Sequence, residues 1–121
     1  MRLQNLKRDR YYISGPMSGL PEFNYPAFEE AAVRLRSMGL VVESPHENFR
    51  GVSEDVRKNL TYRDYMVKAI GQMLLCNKIV LLPGWSKSPG ARTELGLAHS
   101  CGHSIYYYRK ELKRNPLLEI E

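Results

Sequence analysis

The sequence predicts an α/β domain, with a parallel sheet of about four strands layered between helices. Two observations carry that expectation. Short β-prone runs alternate with helical patterns of roughly 12–16 residues, an order that right-handed crossovers turn into a parallel sheet. The run Lys78-Ile79-Val80-Leu81-Leu82 is apolar on both faces, as a central parallel strand must be. With 121 residues, 43% hydrophobic and 26% charged, the chain fits one domain over residues 1–121 and leaves no room for two cores.

Tyr11-Tyr12-Ile13-Ser14 is the first strand, stopped by the turn residues Gly15-Pro16. Asn24 is a candidate N-cap with Pro26 in the first helical turn, and Phe28, Ala31, Ala32 and Leu35 follow at helical spacing until Gly39. Leu40-Val41-Val42-Glu43-Ser44 is the second strand, ended by Pro45. Residues 46–60 are polar and irregular, a loop with about one turn of helix. Thr61-Tyr62-Arg63-Asp64 is a capping box opening a second helix, whose inward stripe is Tyr62, Met66, Ala69, Ile70 and Met73. After the third strand, Ser88 is an N-cap and Pro89 the first position of a helix that runs to about Cys101, before Gly102. Ser104-Ile105-Tyr106-Tyr107-Tyr108 is the fourth strand, and residues 1–10 and 109–121 are basic or charged tails. A sheet this small is expected to have its edges covered by a partner subunit. Tyr62, Tyr65 and Met66 add apolar surface to the second helix, so a homo-oligomer is the expectation.

These proportions exclude wholesale disorder, collagen and coiled coil. No apolar run approaches the roughly 18 residues of a membrane-spanning helix. The opening, Met1 to Arg8, has no apolar core of a signal peptide, which predicts a cytoplasmic chain. Cys76 and Cys101 form no C-x-x-C and read as buried thiols in a reducing compartment. The net charge of +5 sits mainly at the tails: Arg2, Lys7, Arg8 and Arg10 against Asp9 at one end, Arg109, Lys110, Lys113 and Arg114 against three glutamates at the other. A nucleic-acid reader would carry a basic stripe across its folded body, so the charge argues against that partner.

In open parallel sheets ligands sit beyond the carboxyl ends of the strands. Two loops leave that edge with unusual content, Gly15-Pro16-Met17-Ser18-Gly19 and Pro83 to Arg92, and the site should lie between them. The first is not G-x-G-x-x-G, so a dinucleotide fingerprint is absent. Ser88, Pro89 and Gly90 open a helix whose free N–H groups favour an anion; the plainer reading is an ordinary capped helix. Glu94 flanks the inward stripe of Ala91, Leu95 and Ala98, as either a nucleophile or a solvated helix carboxylate. Trp85 covers a base or plugs its loop against the sheet. His99 and His103 are four apart, but Gly102 breaks the helix between them, so no metal site is expected. His46 is alone in a loop and reads as surface.

Beyond spacing, Tyr12-Ile13-Ser14-Gly15-Pro16-Met17-Ser18-Gly19, followed by Asn24 and Phe28, resembles the opening of a phage-rich uncharacterised family. Leu81-Leu82-Pro83-Gly84-Trp85, then Ser88, Gly90-Ala91-Arg92, Glu94 and Ala98, resembles its second signature. That family is related to the nucleoside 2-deoxyribosyltransferases and the deoxynucleoside 5'-monophosphate N-glycosidases, and the likeness covers roughly residues 11–108. The resemblance implies a flavodoxin-like (Rossmann-like) three-layer fold that cleaves the N-glycosidic bond of a deoxynucleoside. It implies that Tyr12, Gly15 and Met17 help shape the base and sugar pocket; Pro16, Ser18 and Trp85, in the same two loops, are further candidate substrate contacts. Glu94, in the context Glu94-Leu95-Gly96-Leu97-Ala98, would attack the anomeric carbon, and Ser88 would help hold a 5'-phosphate, with Gly90 allowing its close approach to the helix start. The partner implied is a small nucleoside or nucleotide, with no metal or organic cofactor.

One departure bears on activity. The related enzymes carry an aspartate on the second helix, eight residues before another that opens the third strand; here those positions are Ala69 and Asn77. Asp64 lies on the wrong face to replace it, and Glu22, Glu47 and Asp55 sit in loops from which they could reach in. A module that binds nucleotides without turning them over is therefore the alternative expectation.

Overall fold

A computed structural model describes residues 8–120 of the chain. They form a five-stranded sheet in the order β2-β1-β3-β4-β5, built from β1 Arg10–Ser14, β2 Val41–Glu43, β3 Lys78–Leu81, β4 Ser104–Tyr108 and β5 Leu117–Ile120. Strands β1 to β4 pair in parallel and β5 runs antiparallel to β4. This is the strand order of flavodoxin-like sheets, as the resemblance implies. Four α-helices accompany it: α1 Tyr25–Ser37, α2 Glu54–Arg57, α3 Tyr62–Leu74 and α4 Pro89–Ser100.

The alternation of side chains along β1 divides the core into two layers. Tyr11 and Ile13 face α1, where they pack with Phe28, Ala31, Ala32 and Leu35. Tyr12 faces the other way, into a cluster with Ala69 and Met73 of α3, Ala98 of α4, and Ile79 and Leu81 of β3. The two anticipated caps form: Thr61 and Asp64 exchange both bonds of the capping box, and Ser88 Oγ accepts from the Ala91 N–H at 3.1 Å. The buried stripe of α3 is narrower than its sequence suggests, for Ala69 and Met73 are buried while Tyr62 is 60% exposed. Among the described residues no helix is long and apolar enough to cross a membrane.

The four expected strands form the parallel part of the sheet, while readings of the tails, a cap and a thiol are corrected. A fifth strand is added because the segment read as a charged tail returns along β4. Its Pro116 is fully buried and its carbonyl accepts from the Arg109 N–H at 2.7 Å, while Arg34 of α1 holds the connecting turn by the carbonyls of Lys110, Leu112 and Lys113. The chain itself thus covers the β4 edge assigned to a partner. At the other end most of the tail lies outside the described residues, and Arg10 already belongs to β1. Asn24 does not cap α1: its φ of 60° is left-handed, and its Nδ2 donates instead to the Pro16 carbonyl at 3.0 Å. Glu22 and Phe23 share that conformation, both with φ of 53°, so three consecutive non-glycine residues store backbone strain before α1. Cys76 is buried, and burial pushes its thiol up to about 11, but Cys101, at the end of α4, is exposed.

Candidate active site

The chain leaves β1 toward α1 on one face and leaves β3 toward α4 on the other, so the crevice between their carboxyl ends is the switch point where such sheets bind ligands. The two loops singled out in the sequence meet there. A Cβ on Gly15 would stand 2.9 Å from Leu82 Cβ, and one on Gly84, whose φ is 87°, would stand 3.2 Å from Pro16 Cγ. Glycine at these two positions is what lets the loops touch.

Glu94 closes this junction. It lies on α4 between Ala91 and Ala98, the face that packs on the sheet, and is only 5% exposed. Tyr12 donates its hydroxyl to Glu94 Oε2 at 2.6 Å, and Ser14 donates its own to Oε1 at 2.6 Å. Both donors are fully buried. Burial pushes the Glu94 carboxyl up, against the pull of the Ser14 and Tyr12 hydrogen bonds. Burial and the adjoining carboxylate raise the Tyr12 phenol well above its ordinary value, so Tyr12 remains a donor. The reading of Glu94 as a solvated helix carboxylate is therefore overturned.

The other sequence-selected residues divide. Gly15 and Pro16 frame the junction, and Gly90 lies one helical turn before Glu94, where a Cβ would meet Tyr62 Oη at 3.1 Å and Met66 Sδ at 3.4 Å. Ser88 caps the same helix. Met17 packs into the α1-side core and Ser18 faces solvent. Trp85 plugs its loop against the sheet, its ring stacked 6.3 Å from that of Tyr107. Ala69 is buried among apolar neighbours beside Tyr12. Asn77 serves the backbone, accepting from the Arg10 N–H at 2.8 Å and donating to Asp9 at 3.0 Å. His103 is bonded to the Met73 carbonyl at 3.0 Å, away from any ligand cluster with His99.

Sequence reasoning missed two features. Ser14 stands inside the first signature but was given no role, though its position two residues after Tyr12 puts it on the same face of β1. The second is a cavity of about 480 Å³ at the same sheet edge, walled by Phe23, Tyr25, Phe49 and Tyr65. His46, read as surface, is buried in its wall: Nδ1 is 2.6 Å from Ser44 Oγ, and Nε2 is 3.4 Å from Glu29 and 3.3 Å from Arg50. Glu29, His46 and Glu47 place three potential metal ligands within 4.8 Å of one another. Arg36 forks onto Glu47 with two 2.7 Å bonds, and Arg50 reaches Glu29 at 3.0 Å. With both carboxylates committed to guanidinium groups, this donor set is an ion network and does not suit a cation.

Residues 9–107 match the model of a domain of unknown function, DUF4406. The chain belongs to the DUF4406 family. No curated protein matches it by sequence. Among solved structures, this DUF4406 chain is similar to a 2-deoxyribosyltransferase from Bacillus psychrosaccharolyticus, at 17% identity with a TM-score of 0.63, covering 82% of this chain and 71% of that one. It is also similar to a 2-desoxiribosyltransferase from Leishmania mexicana, at 17% identity, TM-score 0.59 and coverage of 93% and 79%. A conserved protein from Enterococcus faecalis V583 aligns at 17% identity, TM-score 0.61 and coverage of 89% and 68%. The DUF4406 domain thus has the nucleoside 2-deoxyribosyltransferase-like fold.

Proposed function

We propose that this DUF4406 domain breaks, or transfers across, the N-glycosidic bond of a 2'-deoxynucleoside or its 5'-monophosphate, with Glu94 as the nucleophile. The observation that carries the reading is the buried Glu94 carboxylate, held by Tyr12 and Ser14 at the switch point. Departure of the base leaves positive charge on the sugar, which an adjacent carboxylate stabilises and then captures at the anomeric carbon. Water or a second base attacks that ester from the face the first base left, so configuration is retained. Each Glu94 oxygen accepts one hydrogen bond and keeps lone-pair capacity for this step. The first turn of α4, with the Gly90 N–H free of an intrahelical acceptor, suits the 5'-phosphate. The chemistry so written uses neither a metal nor an organic cofactor.

Ala69 favours a second reading, a module that binds nucleotides without turnover, since a buried apolar methyl stands where the related enzymes have an acid. Incubation with a 2'-fluoro-arabino nucleoside separates the two. The first reading predicts one added sugar mass on the wild type, mapped to the Glu94 peptide, and none on Glu94→Ala. Tight nucleotide binding with no adduct and no base release supports the second.

A further inference from the structure

We propose that Ser14 is a positioning residue for Glu94, its buried hydroxyl fixing Oε1 while Tyr12 fixes Oε2, so that the plane of the carboxylate is set at the sheet mouth. The inference rests on Glu94 acting as proposed above. The terminal torsion of a glutamate is broad and soft, so one donor leaves the carboxylate free to pivot about the bonded oxygen. Two donors, one on each oxygen at 2.6 Å, remove that freedom.

Ser14 is itself rigidly placed. It is the last residue of β1, its carbonyl accepts from the Leu82 N–H at 2.8 Å, and the next residue, Gly15, lies against Leu82 too closely to carry a side chain. A donor on a strand that is bonded on both sides holds its target better than one on a loop.

Nothing else in the surroundings does this work. From α3 the apolar neighbours are Ala69 and Met73, and its titratable group on this side is Tyr62, beside Gly90; Cys76, in the connection from α3 to β3, lies beside Tyr12. From β3 they are Ile79 and Leu81. Among the described residues only Tyr12 and Ser14 bond to the Glu94 carboxylate, and no cation pairs with it. Without the Ser14 hydroxyl, Oε1 would be buried with no donor, a condition that favours the protonated acid, and a protonated acid does not attack carbon.

The test reads Glu94 directly. Protein labelled with ¹³C at glutamate carboxyls is titrated by NMR, the Glu94 signal being the one missing from Glu94→Gln. Ser14→Ala should move that titration upward by about one to two pH units, the shift expected for losing a hydrogen bond to a charged group. The acid limb of base release should move with it, kcat should fall more than KM, and Ser14→Thr should restore both. Should Ser14→Ala fail to fold, Ser14→Cys, which keeps the side-chain shape with a slightly larger atom and weakens the donor, should shift the titration the same way. An unmoved titration in the folded variant overturns the proposal, as does a moved titration with an unmoved rate profile. A moved titration in a protein that releases no base at all would leave the hold of Ser14 on Glu94 standing and sink the glycosidic reading instead.

Discussion

The Tyr12 hydroxyl meets Glu94 Oε2 at 2.6 Å, joining residues 82 positions apart. One bond thereby ties the first strand to the last helix and orients the only carboxylate buried at the switch point among the described residues. Structure and chemistry share this joint, and the joint has a cost, because a carboxylate without a cationic partner is buried there.

That cost depends on pH. Burial holds the folded-state carboxyl of Glu94 above its ordinary value of 4.5, so the folded protein binds the proton more tightly than the unfolded chain. The associated stability is fully present below the ordinary carboxyl value and is lost as pH rises through the raised folded one. Glu94→Gln carries no such loss. It should melt higher than the wild type at neutral pH, with the difference shrinking toward about pH 4. Thermal melts across this range check it; a difference that does not change with pH would contradict it.

Gly15→Ala should destabilise the fold by about 1–3 kcal/mol, because its Cβ would stand 2.9 Å from a Cβ of the strand-end residue Leu82, where neither backbone can easily withdraw. Denaturant unfolding measures this. A neutral substitution would mean that the two loops are not packed as described.

Arg34→Ala should release the turn that returns the chain to β5, since the guanidinium bonds three carbonyls there. A loss of about 2 kcal/mol is expected, with faster amide exchange in Leu117–Ile120 than in β1 or β3. Uniform exchange across the sheet would show that the strap carries no load.

We expect a homo-oligomer in solution. Tyr62, Val67, Leu74 and Leu75 leave apolar surface exposed on α3 and its end, although the β4 edge needs no partner. Light scattering at micromolar concentration should report a multiple of 14.0 kDa. A 14.0 kDa species alone would remove the idea.

Much of this was legible in the sequence where local chemistry decides the outcome. The doubly apolar β3, the Thr61–Asp64 box and the Ser88–Pro89 start of α4 depend on neighbours in the chain, and each formed as anticipated. Glu94 stood out through its motif context, yet spacing alone left it at the margin of the helix stripe. Its burial follows from two hydroxyls on a strand remote in sequence. β5 was hidden because Leu117, Leu118 and Ile120 are too few to pattern a strand, and what holds them is remote in sequence: the ladder to β4, and Arg34 on the turn that precedes them. His46 was misread for the same reason. Its partner Glu29 comes from α1, and the bonds to Ser44 and Arg50 form only once the 44–50 segment is coiled against that helix, so a lone histidine gives no sign of them. Asn24 failed as a cap because a cap needs extended backbone, and the strained turn before it delivers a left-handed one.

The most direct measurement is free-base release, followed by chromatography, from the four deoxynucleosides and their 5'-monophosphates, with wild type and Glu94→Ala side by side. The account predicts release by the wild type, slow because of Ala69, quickened by Ala69→Asp, and lowered by several orders of magnitude in Glu94→Ala, on the order of 10³-fold or more, with nucleotide binding largely kept. Base release that survives in Glu94→Ala, or none from either the wild type or Ala69→Asp, would contradict it.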